Sequence, residues 1–294
     1  MMENNEIYEN ILEYLEFLYK NDGNFPPGVK ETIIKNINEN FDEINYYYDL
    51  KEDNLYHYYE KMMKYVIFVP TNIIKKIYVN ACLFGKIKIV KSILTRNDAK
   101  DINKFGCNNN EYDGFDFACK NGYIEIVKLL IKKFGTINEM NSACDYYGVR
   151  HACDNGHIET AKLLLETFKD YKMITIWNYF TFKTICKNGY VELLKLVVED
   201  YGDKLKNDIN KESEDIKEIF NKISNREEEK YKKTVEILVN LFGNAIMTDE
   251  NKKEKWILVH KDIKIKYLEK ELNNAKKNNF HLEDKLVEIK KIIF

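Results

Sequence analysis

The sequence predicts an all-helical solenoid made of repeated helix pairs, with further helices before and after the repeats. Three observations support this prediction. One short segment occurs four times without gaps in the alignment. Apolar residues recur at helical spacing inside and outside the repeats. The chain has only three prolines and 12 glycines among 294 residues and is rich in lysine, glutamate, isoleucine and leucine, a composition that favours helix over sheet.

The repeated segment is predicted to contain the end of one helix and the start of the next. Its copies run over residues 80–95, 117–132, 151–166 and 184–199. They share the glycines Gly85, Gly122, Gly156 and Gly189, at spacings of 37, 34 and 33 residues. We expect each glycine to terminate a first helix with positive φ. The apolar residues that follow should form one face of a second helix, which is buried only when repeats stack.

The shared pattern resembles the core of the ankyrin repeat. It is clearest from Ala118 to Leu130, which reads Ala-Cys-Lys-Asn-Gly-Tyr-Ile-Glu-Ile-Val-Lys-Leu-Leu. The resemblance covers roughly residues 71–202 and implies stacked helix pairs about 10 Å apart. The Thr-Pro-Leu-His motif that normally opens the first helix is absent. The equivalent positions are occupied by Asp113–Asp116 in one repeat and by Tyr147–Arg150 in the next. We therefore expect its hydrogen-bond network to be missing or rebuilt.

Three domains are predicted: residues 1–70 as a helical amino-terminal cap region, 71–248 as ankyrin repeats, and 249–294 as a carboxyl-terminal helix. The repeat domain contains the four clear repeats and a degenerate fifth, because Tyr231–Gly243 matches Tyr123–Gly135 at its apolar positions. Its first helix is predicted over Asp215–Ser224.

The carboxyl-terminal segment carries a regular apolar stripe. From Ile265 to Ile293 the core positions recur in steps of three and four, as in a coiled coil, and they are apolar except for Asn279, which favours two parallel strands. This pattern predicts a parallel homodimer through Ile265–Ile293. The alternative is that the helix folds back and caps the last repeat.

A second resemblance lies at the amino terminus. Glu6–Leu15 is similar to the opening of an F-box, which implies a ubiquitin-ligase substrate adaptor. The Leu-Pro that usually precedes this motif is replaced by Asn4-Asn5.

Composition and motifs exclude several classes. The net charge of −2 offers no global field for nucleic acid. The longest apolar run, Tyr65–Val69, is too short to cross a membrane, and the amino terminus does not resemble a signal peptide, so we expect a cytoplasmic protein. No nucleotide-binding, metalloprotease or serine-hydrolase motif occurs, and neither a metal nor a cofactor is expected. The cysteines that share one column of the repeat should be reduced and buried by packing: Cys82, Cys119, Cys153 and Cys186.

These features predict a non-enzymatic scaffold that binds an intracellular protein. The resemblance implies binding through the tips between repeats and the concave face of the first helices. Exposed aromatic side chains are typical binding anchors. The candidate partner-binding residues are Phe117 and His151 on the first helices and Tyr112, Tyr146, Tyr147, Trp177, Tyr179 and Phe180 at the tips. The most apolar tip, Ile174–Phe182, is the first choice.

Overall fold

The computed structural model describes most of the first 242 residues as helices joined by turns. The described residues are 2–21, 28–44, 53–102, 114–135, 146–212, 219–220, 222–224, 226, 228–242 and the single residues 265 and 269. They contain no strand, which confirms the all-helical fold class. The chain divides into two compact units, Met1–Thr160 and Ala161–Phe294.

The first unit begins with three helices that share an apolar core. They are α1 (Met2–Lys20), α2 (Val29–Ile44) and α3 (Asp53–Met62), and a 3-10 turn (Met63–Tyr65) follows α3. Ile11 and Leu15 on α1 and Ile37 on α2 are completely buried, as the helical spacing of these residues predicts. The Tyr8 ring stacks on Tyr58 with the centroids 4.8 Å apart, which ties α1 to α3.

Arg96 joins these helices to the first repeat. Its guanidinium donates hydrogen bonds to the carbonyl oxygens of Val66 and Val69 and lies 2.7 Å from Asp98. Thr71 donates its hydroxyl hydrogen to the same carboxylate at 2.8 Å. The next helix begins after Pro70 without a side-chain cap. The Thr71 hydroxyl bonds to Asp98 instead.

The repeats of the first unit are helix pairs joined by short turns. Their helices are α4 (Thr71–Leu83) with α5 (Ile87–Ile93), a short α6 (Ala99–Ile102), α7 (Gly114–Lys120) with α8 (Ile124–Phe134), and α9 (Tyr147–Asp154) with the start of α10 (Ile158–Phe168). The first helices pack in sequence, α4 on α7 and α7 on α9, and the second helix α5 packs on α8. This is the stacked arrangement that the repeats predict.

A glycine with positive φ ends the first helix of each repeat. The φ values are 72° at Gly85, 71° at Gly122, 78° at Gly156 and 68° at Gly189. In each turn the residue after the glycine donates its backbone N–H to a carbonyl five residues earlier. For example, Tyr123 donates to Ala118 at 2.9 Å. The glycine N–H bonds three residues back, and together these bonds form the Schellman motif that satisfies the end of the helix.

A ring from the next repeat packs on two of these glycines, Gly85 and Gly122. A Cβ atom on Gly85 would lie 2.7 Å from the Tyr123 ring, and one on Gly122 would lie 2.6 Å from Cγ of His157. Asn121 adds a polar link, because its side chain donates a hydrogen bond to the Leu83 carbonyl at 3.2 Å. Glycine is thus required both by the backbone and by the neighbouring ring.

Small residues also let the first helices approach each other. A Cβ atom on Gly114 would lie 2.9 Å from the Cys82 sulfur, and one on Gly148 would lie 3.3 Å from the Cys119 sulfur. The predicted cysteine column is confirmed, because all four of its members are buried, free thiols: Cys82, Cys119, Cys153 and Cys186. Glycine occupies the place where the ankyrin consensus has proline, so close packing replaces part of the missing motif.

The second unit contains the rest of α10 and three longer helices. These are α11 (Lys172–Asn188), α12 (Val191–Glu212) and α13 (Glu229–Phe242). Helix α13 packs on α12. Tyr231 lies beside Gly189, where a Cβ atom would be 3.2 Å from its ring. This contact repeats the relation of Tyr123 to Gly85. Residues 219–220 and 222–223 are helical, and the rest of the predicted 215–224 helix lies outside the described residues or in a turn.

The domain boundaries and the fifth repeat stay predictions. The coiled-coil stripe lies outside the described residues, apart from Ile265 at its start. No helix in the described part of the chain is long and apolar enough to span a membrane.

We predict that Gly122→Ala lowers the free energy of unfolding by about 2 kcal/mol, because alanine must adopt positive φ and its methyl group meets His157. Gly28→Ala is the matched control, since Gly28 also has positive φ but nothing lies within 4 Å of the added carbon. Urea unfolding of both variants measures the difference. If both variants lost the same free energy of unfolding, the contact with His157 would contribute nothing to stability.

The Arg96–Asp98 pair predicts a dependence of stability on pH. Hydrogen bonds from Arg96 lower the pKa of Asp98 to about 2, whereas an unfolded aspartate has a pKa of about 3.9. The stabilisation is therefore complete above the unfolded pKa and is lost as pH falls toward the folded pKa. Asp98→Asn should destabilise the protein at neutral pH and much less near pH 2. Urea unfolding at both pH values measures this, with the exposed Asp203→Asn as control, and a penalty independent of pH would contradict the assignment.

Candidate functional site

The tip between α10 and α12 contains a break in helix α11. Ile176 has an extended backbone, and Trp177, Asn178 and Tyr179 have φ values of 53°, 56° and 57°. These three residues form one left-handed turn. None of them is glycine, and left-handed backbone costs other residues roughly 1–2 kcal/mol each. The tip is therefore a strained segment held by its surroundings, a condition that is concentrated at functional sites.

Buried residues hold both ends of this tip. Ile174 before the turn and Phe182 after it are 0% and 1% exposed. The Phe182 ring meets the Phe242 ring of α13 edge to face, with centroids 6.4 Å apart. At the base of the tip the Tyr171 hydroxyl donates a hydrogen bond to the Asp208 carboxylate at 2.7 Å. These contacts explain how the protein maintains the left-handed turn.

Trp177 projects from the tip with 58% of its surface exposed. It is one of four exposed large hydrophobic residues in the described part of the chain, and the other three, Phe17, Tyr19 and Ile67, lie before the first repeat. Tyr179 and Phe180 beside it are half-buried. The apolar tip predicted from Ile174–Phe182 thus presents chiefly the indole of Trp177, while its end residues are core.

A second group of candidate residues lies on the first helices of the first unit. The Tyr147 ring is stacked on the His151 ring at 5.2 Å with 10° between the planes. The Arg150 guanidinium lies 4.9 Å from the Tyr147 centroid, a distance typical of a cation–π contact. Phe117, one repeat earlier, is half-buried. The structure therefore joins two of the predicted residues to Arg150, which the sequence analysis did not select.

His151 is held in its neutral form. Burial lowers its pKa, and the positive charges of Lys120 and Arg150 lower the pKa further, whereas Asp154 opposes them. An ordinary histidine has a pKa of about 6.5, so His151 is uncharged at neutral pH. It therefore adds no charge to the surface.

Tyr146 and Tyr112 are the remaining predicted tip residues. Tyr146 was expected to be exposed, but it is 4% exposed, and it has a left-handed backbone with φ of 60° just before α9. This expectation was wrong, because packing by residues elsewhere in the chain, and not the position at a tip, decides whether a side chain is buried. Tyr112 lies outside the described residues.

The buried thiols do not resemble reactive cysteines. Burial raises the pKa of Cys153 to about 12 and also raises the pKa of Cys186. A thiol with so high a pKa stays protonated and packs as a small apolar group. Within the described residues, no group of three histidine, cysteine or acidic side chains is arranged to hold a metal ion.

The stacked helix pairs and their left-handed glycine turns define a protein of the helical-repeat class. A family model described as ankyrin repeats in three copies matches two overlapping ranges, 78–175 and 115–213. Comparisons with curated proteins and with solved structures found no match. The matched part of the chain, residues 78–213, therefore consists of ankyrin repeats. Ankyrin repeats are, in general, modules for protein–protein interaction.

Proposed function

We propose that the protein is a non-enzymatic scaffold of the cytoplasm that binds an intracellular protein partner through the tip around Trp177. The observation that carries this proposal is an exposed indole on a strained, left-handed turn. A tryptophan buries a large area with few rotatable bonds, so it loses little conformational entropy on binding. A turn that is already held in place reduces the ordering cost further.

The first helices provide a second proposed contact surface. Tyr147, His151 and Phe117 expose parts of their rings, and the stacking of Tyr147 on His151 fixes their orientation. Prestacked aromatic rings suit a partner side chain that is apolar or cationic. This surface belongs to the first compact unit, and the Trp177 tip belongs to the second.

The ubiquitin-ligase alternative lacks such an observation. The apolar side chains of the F-box-like stretch include Ile11, Leu12 and Leu15, which are 0%, 8% and 0% exposed. They contribute to the chain's own amino-terminal core and are not presented to a second protein. The contacts of α3 and its 3-10 turn with α5 favour the other proposed role for residues 1–70, a cap on the repeats.

We predict that Trp177→Ala combined with Tyr179→Ala removes partner binding and leaves thermal unfolding nearly unchanged. Loss of a central aromatic anchor weakens binding by about 2 kcal/mol or more, whereas an exposed side chain contributes little to the core. The partner would be captured from native cytosol with the full chain, and its affinity for each variant would then be measured by titration calorimetry.

Two control variants distinguish the contribution of the Trp177 indole from that of the left-handed turn. Trp177→Gly also removes the indole but relieves left-handed strain, so it should abolish binding without lowering the melting temperature. Tyr19→Ala removes a similarly exposed aromatic ring from the other unit and should leave binding intact. A collapse of the melting temperature in the double variant would show that these residues are core and would end the proposal.

We also propose that Ile265–Ile293 forms a homodimeric coiled coil. Leu272→Asp together with Leu286→Asp would place charges in the apolar seam, and sedimentation equilibrium should then change from dimer to monomer. Lys270→Asp, away from the stripe, is the control. A full-length protein that is monomeric at micromolar concentration would exclude the dimer. If the seam variant also unfolds the repeats, the fold-back cap would replace it.

A further inference from the structure

The second helices of the repeats share a charge pattern that is absent from one repeat. Three of them carry glutamate three residues before lysine. The pairs Glu125–Lys128 and Glu192–Lys195 form salt bridges of 2.8 and 3.1 Å. In the first repeat Lys88 occupies the glutamate position, and Lys91 follows it at the usual lysine position. Like charges at this spacing repel each other weakly, so the substitution does not serve the stability of the helix.

The excess of positive charge extends over the whole first helix pair. Residues 71–93, which include α4 and α5, contain five lysines and no aspartate or glutamate. The side chains of Lys88 and Lys91 are exposed on α5. Among the described residues no ion pair involves either of them. The first repeat is therefore a local cationic surface on a chain whose net charge is −2.

A depression adjoins this surface. Its volume is about 230 Å³, and it lies between the end of α3 with its 3-10 turn and the helix α5. Met63 and Ile89 supply apolar surface, Lys88 and Ser92 form one polar edge, and Glu60 is the acidic residue of the lining. A space of this size admits an apolar side chain from a partner. The cations of α5 would meet carboxylates on either side of that side chain.

We propose that this surface, here called the Lys88 surface, binds an acidic protein segment that carries an apolar side chain between carboxylates. The assignment goes beyond the Trp177 tip, because it concerns another face on the other compact unit. Close opposite charges attract each other at such a surface. The apolar floor suits a peptide with an apolar side chain better than a phosphate backbone, which is bound chiefly through its charge.

Fluorescence anisotropy with the full chain tests the proposal. The probe is a fluorescein-labelled peptide of glutamate pairs separated by single leucines. Lys88→Glu should weaken its binding about tenfold or more. This variant restores the glutamate–lysine pattern of the other repeats, so thermal unfolding should be unchanged or slightly improved. Lys132→Glu, an exposed change of equal charge on α8, is the matched control and should alter affinity by about twofold at most.

Further probes separate the alternatives. Replacing the leucines of the peptide by serine should weaken binding, because the depression then stays empty. Trp177→Ala should leave peptide binding unchanged, which distinguishes this surface from the Trp177 tip. Equal weakening by Lys88→Glu and Lys132→Glu would overturn the proposal in favour of general charge attraction. Single-stranded oligothymidine is the last probe. If it bound as tightly as the peptide or more tightly, and if Lys88→Glu abolished that binding, the proposal would be overturned in favour of a nucleic-acid ligand.

Discussion

The left-handed turn that ends each first helix is the constraint on which the repeats depend. Glycine adopts positive φ there at little cost, and the following N–H reaches a carbonyl five residues back, so the chain reverses within a few residues. The reversal lays the second helix beside the first. It also leaves a gap at the glycine that the ring of the next repeat fills, as Tyr123 does at Gly85. One backbone conformation thus determines both the geometry within a repeat and the contact between repeats.

The same left-handed conformation has a different energetic consequence at Trp177–Tyr179. There the residues carry large side chains, so the conformation is strained and must be maintained by neighbouring contacts. Those contacts come from Ile174, Phe182 and the Tyr171–Asp208 hydrogen bond, all within the second unit. Since the total stability of a domain is only about 5–15 kcal/mol, strain of a few kcal/mol at a tip is substantial. Its coincidence with an exposed indole is the basis of the proposed binding role.

Charge plays two distinct parts in the first unit. Arg96 and Asp98 are partly buried, and their hydrogen bonds join the amino-terminal helices to the first repeat. Such a pair acts structurally, because removing one partner leaves the other in a poorly solvated place. Lys88 and Lys91 are exposed, and solvent weakens their effect on folding. They can therefore vary without loss of the fold, which leaves them available for recognition of a partner.

The sequence by itself determined the helical class, the four repeats, the positive-φ glycines and the buried cysteine column. Each of these follows from local spacing, because a glycine at a helix end and apolar residues at helical intervals act through neighbours a few positions away. The tertiary structure alone decided which aromatic side chains reach the surface. Tyr146 is buried and Trp177 is exposed, although both stand at tips and both have a left-handed backbone, because burial depends on packing by residues that are distant in the sequence. It also decided the roles of Arg96 and of Gly114 and Gly148, because each of them contacts residues that are distant in the sequence, so no local pattern could reveal them.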